Sequence, residues 1–254
     1  MINSIIKNRK VKNFLIIIFW LIVWEIFFLI VNEPLFLASP LATVKSIFAL
    51  LKKSESWKIL FYTSGKMLLG YFAALILGVS AAWFASKFLF IEDLLKPLVV
   101  LTKSIPVASF IVLALAWFSS VNVSIFICFL VVFPTVYFSI LAAIRRVDIK
   151  LLQMCQVFGV SSSKKVRFIF MPEIADELCE VVKITVGMGI RSSIAAELIG
   201  LPNNSIGGEL YQAKLYLAMD DLFAWTIFAV VLCYVIEKVM IAIFTKIKSV
   251  VQKA

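Results

Sequence analysis

DIKLLQMCQVFGVSSSKKVRFIFMP, residues 148–172, is the only long run of mixed polar and basic residues between strongly apolar segments in the second half of the chain. Asp148 is placed to cap a helix, and Leu151, Cys155 and Phe158 fall at i, i+4 and i+7, with Lys150, Gln153 and Gln156 forming a polar stripe. Gly159 supplies the left-handed residue that ends such a helix. Ser161 to Ser163 can cap a second short helix carrying Lys164, Lys165 and Arg167, and Pro172 suits the first turn of a new long helix. The first turns of that helix bear Glu173, Asp176, Glu177 and Glu180, which belong at an interface and not in lipid.

Around this stretch the chain is apolar. Of its 254 residues 63% are hydrophobic and only 16% charged, and the mean hydropathy is +1.04, far from the composition of a soluble domain. The expected fold is all-α, a polytopic membrane protein forming one domain over residues 1–254. The net charge of +10 sits in short clusters at the ends of apolar runs. Topology and anionic lipid account for those clusters better than nucleic acid does. The chain has no histidine, and Cys128, Cys155, Cys179 and Cys233 lack CxxC spacing, so zinc and thiol-redox chemistry are not expected. No metal or cofactor is implied. No GxxxxGK[ST] loop occurs either, so nucleotide-driven work would need a separate ATPase chain.

Read in order, Lys7, Arg9, Lys10 and Lys12 precede an anchor helix at 13–32, which places the N-terminus in the cytoplasm. No small-x-small cleavage site follows, so the anchor is expected to stay attached to the mature chain. Glu25 lies mid-span and is expected to face other helices. After Ser39-Pro40, residues 40–55 read as an external interfacial helix with Val44, Ile47, Phe48 and Leu51 on one face, although Lys45, Lys52, Lys53 and Lys58 run against the positive-inside rule.

Core spans are expected at 61–86, 97–118, 121–144, 181–199 and 222–244. Ser64, Gly65, Gly70 and Gly78 give the first of these a small surface for close helix approach. Pro106 and Pro134 would kink the next two, either around a central path or merely to fit the bundle. Arg145 and Arg146 mark a cytoplasmic end. In the span at 181–199, Arg191 is two or more turns from either end, where an unpaired charge costs from about 2.5 kcal/mol upward. Arg191, Ser192 and Glu197 are therefore substrate-pathway candidates. Pairing of Arg191 with Glu25 or Glu197 is the structural alternative. Residues 200–221 are rich in turn formers and read as an external loop, and Lys246, Lys248 and Lys253 place the C-terminus in the cytoplasm. Six spans with both ends inside is the expected count.

The spacing Gly159, nine residues, Ile169-Phe170-Met171-Pro172 resembles the signature loop of binding-protein-dependent ABC transporter permeases, whose pattern is EAA, three residues, Gly, nine residues, I-x-L-P. Gln153, Met154 and Cys155 stand where that family has Glu-Ala-Ala. The resemblance to the nitrate/sulfonate/taurine type covers nearly the whole chain. Trp24-Glu25, Ser39-Pro40, Ser64 to Gly70, Ile105-Pro106, Trp117-Phe118, Phe133-Pro134, Val147-Asp148, Ala196 to Gly200, Ser205 to Gly207 and Asp221 to Ala224 follow one another in that subfamily's order.

The resemblance implies a type I importer permease in the plasma (inner) membrane, paired with a second permease subunit, expected to be an identical one. It also implies cytoplasmic ABC ATPases and an external substrate-binding protein. Residues 148–172 would then be a cytoplasmic coupling loop, with Asp148, Leu151, Leu152, Gln153, Cys155, Phe158, Gly159 and Pro172 forming the ATPase-coupling element. The solute would be small and sulfonate- or nitrate-like. The competing classes are an ion-coupled secondary transporter using Glu25, Arg191 and Glu197, and a membrane scaffold that transports nothing. The first predicts matching halves, and no half-to-half repeat is visible.

Overall fold

A computed structural model describes residues 9–253, and every regular element among them is a helix. Lys7, part of the basic N-terminal cluster, lies outside the described residues. In chain order the helices are α1 (Arg9–Val31), α2 (Pro40–Lys52), α3 (Ser54–Lys87), α4 (Leu89–Ser104), α5 (Val107–Ala114) and α6 (Val123–Arg146). They continue with α7 (Ile149–Val157), α8 (Ser162–Lys165), a π-helical turn (Val166–Phe170), α9 (Met171–Gly200), α10 (Ile206–Leu215) and α11 (Met219–Lys253).

Helices α3, α6 and α9 form the centre. Met67, Tyr71, Val132, Val136, Ile140, Val182 and Val186 make one continuous buried cluster between them. Lipid tails are as apolar as leucine, so close backbone approach, rather than water exclusion, holds such helices together. A Cβ at Gly70 would strike the carbonyl oxygen of Ile125, and one at Gly78 would lie 2.8 Å from Val136 Cγ1. The expected small surface is thus used at Gly70 and Gly78, whereas Gly65 faces open space. Thr185 donates its hydroxyl to Val181 O at 2.8 Å, so Tyr71 is the donor in the 3.0 Å bond that joins α3 to α9 through Thr185 Oγ1.

Several expected boundaries move. Four helices, α1, α3, α6 and α11, are long and apolar enough to cross a membrane, and α4 with α5 would make a fifth as a pair bent by 104°. The expected kink at Pro106 is a full break, with Ile105 and Pro106 in extended conformation. The stretch left between the expected spans 61–86 and 97–118 is largely the start of α4. Pro134, in contrast, is buried inside α6, which runs through it without interruption. The fifth expected span, 181–199, is the second half of the 30-residue α9. Lys183, Arg191 and Glu197 give this stretch three charged residues, more than any other expected span holds.

The interfacial helix ends at Lys52, and Lys53 alone, in extended conformation, separates it from α3. Ser39 caps its start by accepting from Ala42 N at 3.1 Å, with Pro40 in the first turn. Helix α1 packs against α2 and touches α11 through the tilted rings of Trp24 and Phe223, while Trp24 Nε1 donates to Ala38 O at 3.1 Å. Glu25 is half-buried, with no hydrogen bond or ion pair to any described residue.

The α3–α6 contact is directly testable. Gly70→Val should destabilise the detergent-solubilised protein by about 1–3 kcal/mol through overpacking, while Gly65→Ala should lie within about 0.5 kcal/mol of the parent. Thermal unfolding followed by fluorescence-detected gel filtration compares the two.

Candidate functional site

Asp148 caps α7, accepting from Lys150 N at 2.8 Å. The helix closes in a double bond pattern: Gly159 N donates to Gln156 O at 3.2 Å and Val160 N to Cys155 O at 2.9 Å, with Gly159 at φ +64°. This is a Schellman stop, which an L-residue adopts only with strain. Both ends of the short helix are therefore set by the two residues the sequence singled out.

Its faces are not as the spacing suggested. Cys155 is buried and Leu152 half-buried, so the i, i+3 pair Leu152 and Cys155 faces the bundle. Leu152 lines a groove with Trp83, Ile144, Arg145, Lys165 and Phe170. Leu151 and Phe158 point outward, because Phe158 sits at the C-cap, past the last helical residue, and leaves the stripe. The outward surface is apolar: Val157 is 84% exposed, Phe158 76%, Ile149 69% and Met154 51%. Gln153 is exposed among them.

The second half of the loop also differs from expectation. Instead of a short helix, a break and a new helix at Pro172, the chain is helical without interruption from Ser162 to Gly200. A proline has no N–H, and its ring collides with the carbonyl four residues back. The π-turn Val166–Phe170 immediately before Pro172 widens the helix, with Met171 N bonding Val166 O, and so absorbs the misfit. Arg146 ties this rod to α6 through Glu177 at 3.3 Å and Glu173 at 3.8 Å, and Lys248 ties it to α11 through Asp176 at 3.3 Å. Arg145 pairs with Glu92 of α4.

The pathway candidates separate. Arg191 is exposed in a groove of 430 Å³ between α9, α10 and α11, lined also by Thr226, Cys233, Tyr234 and Glu237. Neither Glu25 nor Glu197 pairs with it. Ser192 is half-buried, and it is its neighbour Ser193 that donates inward, to Ser124 O at 3.2 Å. Glu197 is fully buried at the far end of α9, accepting at one oxygen from Thr63 Oγ1 at 3.1 Å and from Gly207 N at 3.3 Å. It joins α3, α9 and α10 and lies outside the Arg191 groove. The residue missed by sequence reasoning is Glu237. The criterion that singled out Arg191, a charge within an apolar span, applied equally to it.

The stretch expected as a loop at 200–221 contains α10, capped by Ser205, which accepts from Gly208 N at 3.0 Å. A Cβ at Gly207 would strike Glu197, so only glycine lets α10 start against the end of α9. Nearby, Ser46 of α2 donates to Asp221 of α11. Burial pushes the Glu209 carboxyl above its ordinary range, Lys53 opposes the shift, and Asp221 and Glu55 add to it.

A bundle of long apolar helices, with a short capped helix exposing an apolar face between α6 and the α9 rod, defines a multi-pass membrane protein. The family model for the binding-protein-dependent transport system inner membrane component matches residues 74–248, and the chain belongs to that family of ABC importer permeases. It is 23% identical over 220 residues to the taurine transport system permease protein TauC of Escherichia coli (strain K12), covering 84% of this chain and 80% of that one. Its fold resembles a chain in the crystal structure of an amino acid ABC transporter with histidines, at a TM-score of 0.50 and 17% identity, covering 76% of this chain and 93% of that one.

Two predictions come from these sites. Gly159→Ala places a Cβ in open space but keeps the left-handed backbone, so it should lower stability by about 1–2 kcal/mol, read as a fall in melting temperature. A raised carboxyl stabilises the fold below its unfolded value of about 4.3 and loses that contribution as pH rises through the folded value. Glu209→Gln should therefore melt higher than the parent at pH 7 and level with it near pH 4 on the carboxylate scale.

Proposed function

We propose that this chain is the transmembrane subunit of an ATP-driven, binding-protein-dependent importer in the plasma (inner) membrane. It works as a pair, taken to be a homodimer, with both termini in the cytoplasm. ATP is hydrolysed by separate cytoplasmic ABC subunits, and an external binding protein delivers the solute on the side of α2 and α10. The observation that carries this reading is the outward apolar face of α7. Ile149, Met154, Val157 and Phe158 stand exposed on a nine-residue helix locked at both ends, and a solvated apolar surface of that kind calls for a protein groove to receive it. The basic residues at the adjoining ends of α6 and α8 support a cytoplasmic location for this face.

The mechanical logic follows from rigidity. α7 is too short to bend and is joined at its stop to a rod that continues unbroken into the membrane. A displacement of the docked face by ATPase closure is thereby passed to α9 and the groove beside it. The solute is a small sulfonate- or nitrate-like molecule. Arg191, a cation on the groove wall, supports this, as does the likeness to a taurine permease.

Copurification with the ATPase encoded alongside it tests the assignment. Val157→Asp should reduce ATPase recovery at least tenfold while the permease still accumulates. Leu152→Asp should instead lower accumulation of the permease itself, because that side chain packs against the bundle. Undiminished recovery with Val157→Asp would remove α7 as the docking element.

A further inference from the structure

Where α3 and α6 end, the chain gathers cations from three helices around one groove. Lys87 closes α3, Arg145 is the next-to-last residue of α6 and Lys165 ends α8, and all three line the 420 Å³ groove behind α7. No acidic side chain among the described residues lines it. Arg145 is already paired with Glu92 of α4, whereas Lys87 and Lys165 have no ion pair to any described residue. Two positive charges therefore border the groove without compensation.

The wall between them is aromatic. Lys87 Nζ lies 4.5 Å from the centre of the Trp83 ring, which holds the ammonium in place without neutralising it. Trp83 in turn meets Phe170 edge to face at 5.5 Å. Helices α3 and α6 are long and apolar enough to cross a membrane, so their shared end marks the level of the lipid headgroups, where tryptophan is enriched. Phe84 and Phe88, on either side of Lys87 along the chain, are exposed, as a hydrocarbon-facing surface would be. Topology alone accounts for cations at the end of a span. It does not account for their collection from three helices around a partly apolar groove.

An occupant must bring negative charge to Lys87 and Lys165 and an apolar portion to Trp83, Ile144 and Phe170. A soluble anion supplies only the first. A zwitterionic phospholipid supplies both, but its ammonium would find no carboxylate in the groove and would stand close to the lysines. A phospholipid of net negative charge meets every condition: its phosphate oxygens accept from both ammonium groups, and its glycerol and first acyl carbons lie on the aromatic wall.

We infer that the groove between α3, α6 and α8 binds one anionic phospholipid of the leaflet in which α3 and α6 end, its phosphate bridging Lys87 and Lys165. Among the described residues no side-chain hydrogen bond or ion pair joins α3 to residues 148–172; Ser86, at the groove, is turned back to Trp83 O at 2.7 Å. The lipid supplies that missing polar link between the core and the loop that carries α7. This site stands whether or not the import reading holds.

The test places the full chain in phosphatidylcholine nanodiscs with a small fraction of dibrominated phosphatidylglycerol or, in parallel, dibrominated phosphatidylcholine. Quenching of Trp83, taken as the difference between the parent and Trp83→Phe, should be about threefold stronger with the anionic lipid. Lys87→Gln with Lys165→Gln should bring the two lipids level, and Lys87→Arg with Lys165→Arg should keep the preference. Lys150→Gln with Lys164→Gln, which removes as much charge outside the groove, should keep it too. Phosphatidylglycerol should also raise the melting temperature of the parent and not that of the Lys87→Gln, Lys165→Gln variant. Equal quenching of the parent by both lipids overturns the site, and so does an equal loss of preference in the Lys150 and Lys164 control. Inorganic phosphate that stabilises the parent in pure phosphatidylcholine as much as phosphatidylglycerol does makes the occupant a soluble anion and overturns the lipid. Loss of the preference when the purified ATPase binds makes that protein the occupant, with the same result.

Discussion

The carbonyl of Ile125 lies so close to Gly70 that no side chain fits between α3 and α6. Everything central in the molecule depends on that approach. Inside a membrane, helices gain no water-exclusion energy by meeting, so the stabilisation comes from many short-range contacts, which decay within an ångström of separation. With α3 and α6 at this distance, Gly189 of α9 can approach Val132 and Cys128, and the three helices enclose the Met67, Val136 and Val186 cluster. The hydroxyl bonds of Tyr71, Thr185 and Ser193 then find their partners across the same contacts.

From that centre two devices reach outward. One end of α9 is fastened by Glu197, whose carboxylate gathers Thr63 of α3 and the first turn of α10. Its other end runs through the π-turn into the loop that carries α7. Between these ends lies Arg191. The rod is therefore anchored at one end, leads to the exposed apolar face of α7 at the other, and bears Arg191 along its length. Ion pairs from Arg146 and Lys248 hold it to both neighbours where it leaves the apolar core. These pairs are partly exposed and individually weak.

Much of this was legible in the residues. Composition and periodicity determined an all-helical membrane chain, and Asp148 and Gly159 marked the limits of α7 because cap and stop chemistry are local. The Gly70 and Gly78 surface was visible for the same reason. The faces of α7 were not, since Ile149, Leu151, Leu152, Met154, Cys155 and Val157 surround the helix and spacing alone does not say which of them the bundle covers. Pro172 was read as a helix start, which is its commonest role, but packing on both sides kept the rod continuous and moved the misfit into a π-turn. Pro106 and Pro134 show the same limit: equal chemistry gave a break in one place and an unbroken helix in the other.

By itself the sequence determined what each segment is: apolar enough for lipid, capped or stopped here, charged there, and in an order that resembles one family of permeases. Those properties reside in single residues and near neighbours along the chain. Only the tertiary structure decided which charges meet. Arg191 and Glu237 are 46 positions apart and were brought together by the antiparallel packing of α9 and α11, while Glu197, six positions from Arg191, was turned into a buried junction. Helical geometry sends side chains six apart to different faces, and proximity across helices depends on packing that no local pattern encodes.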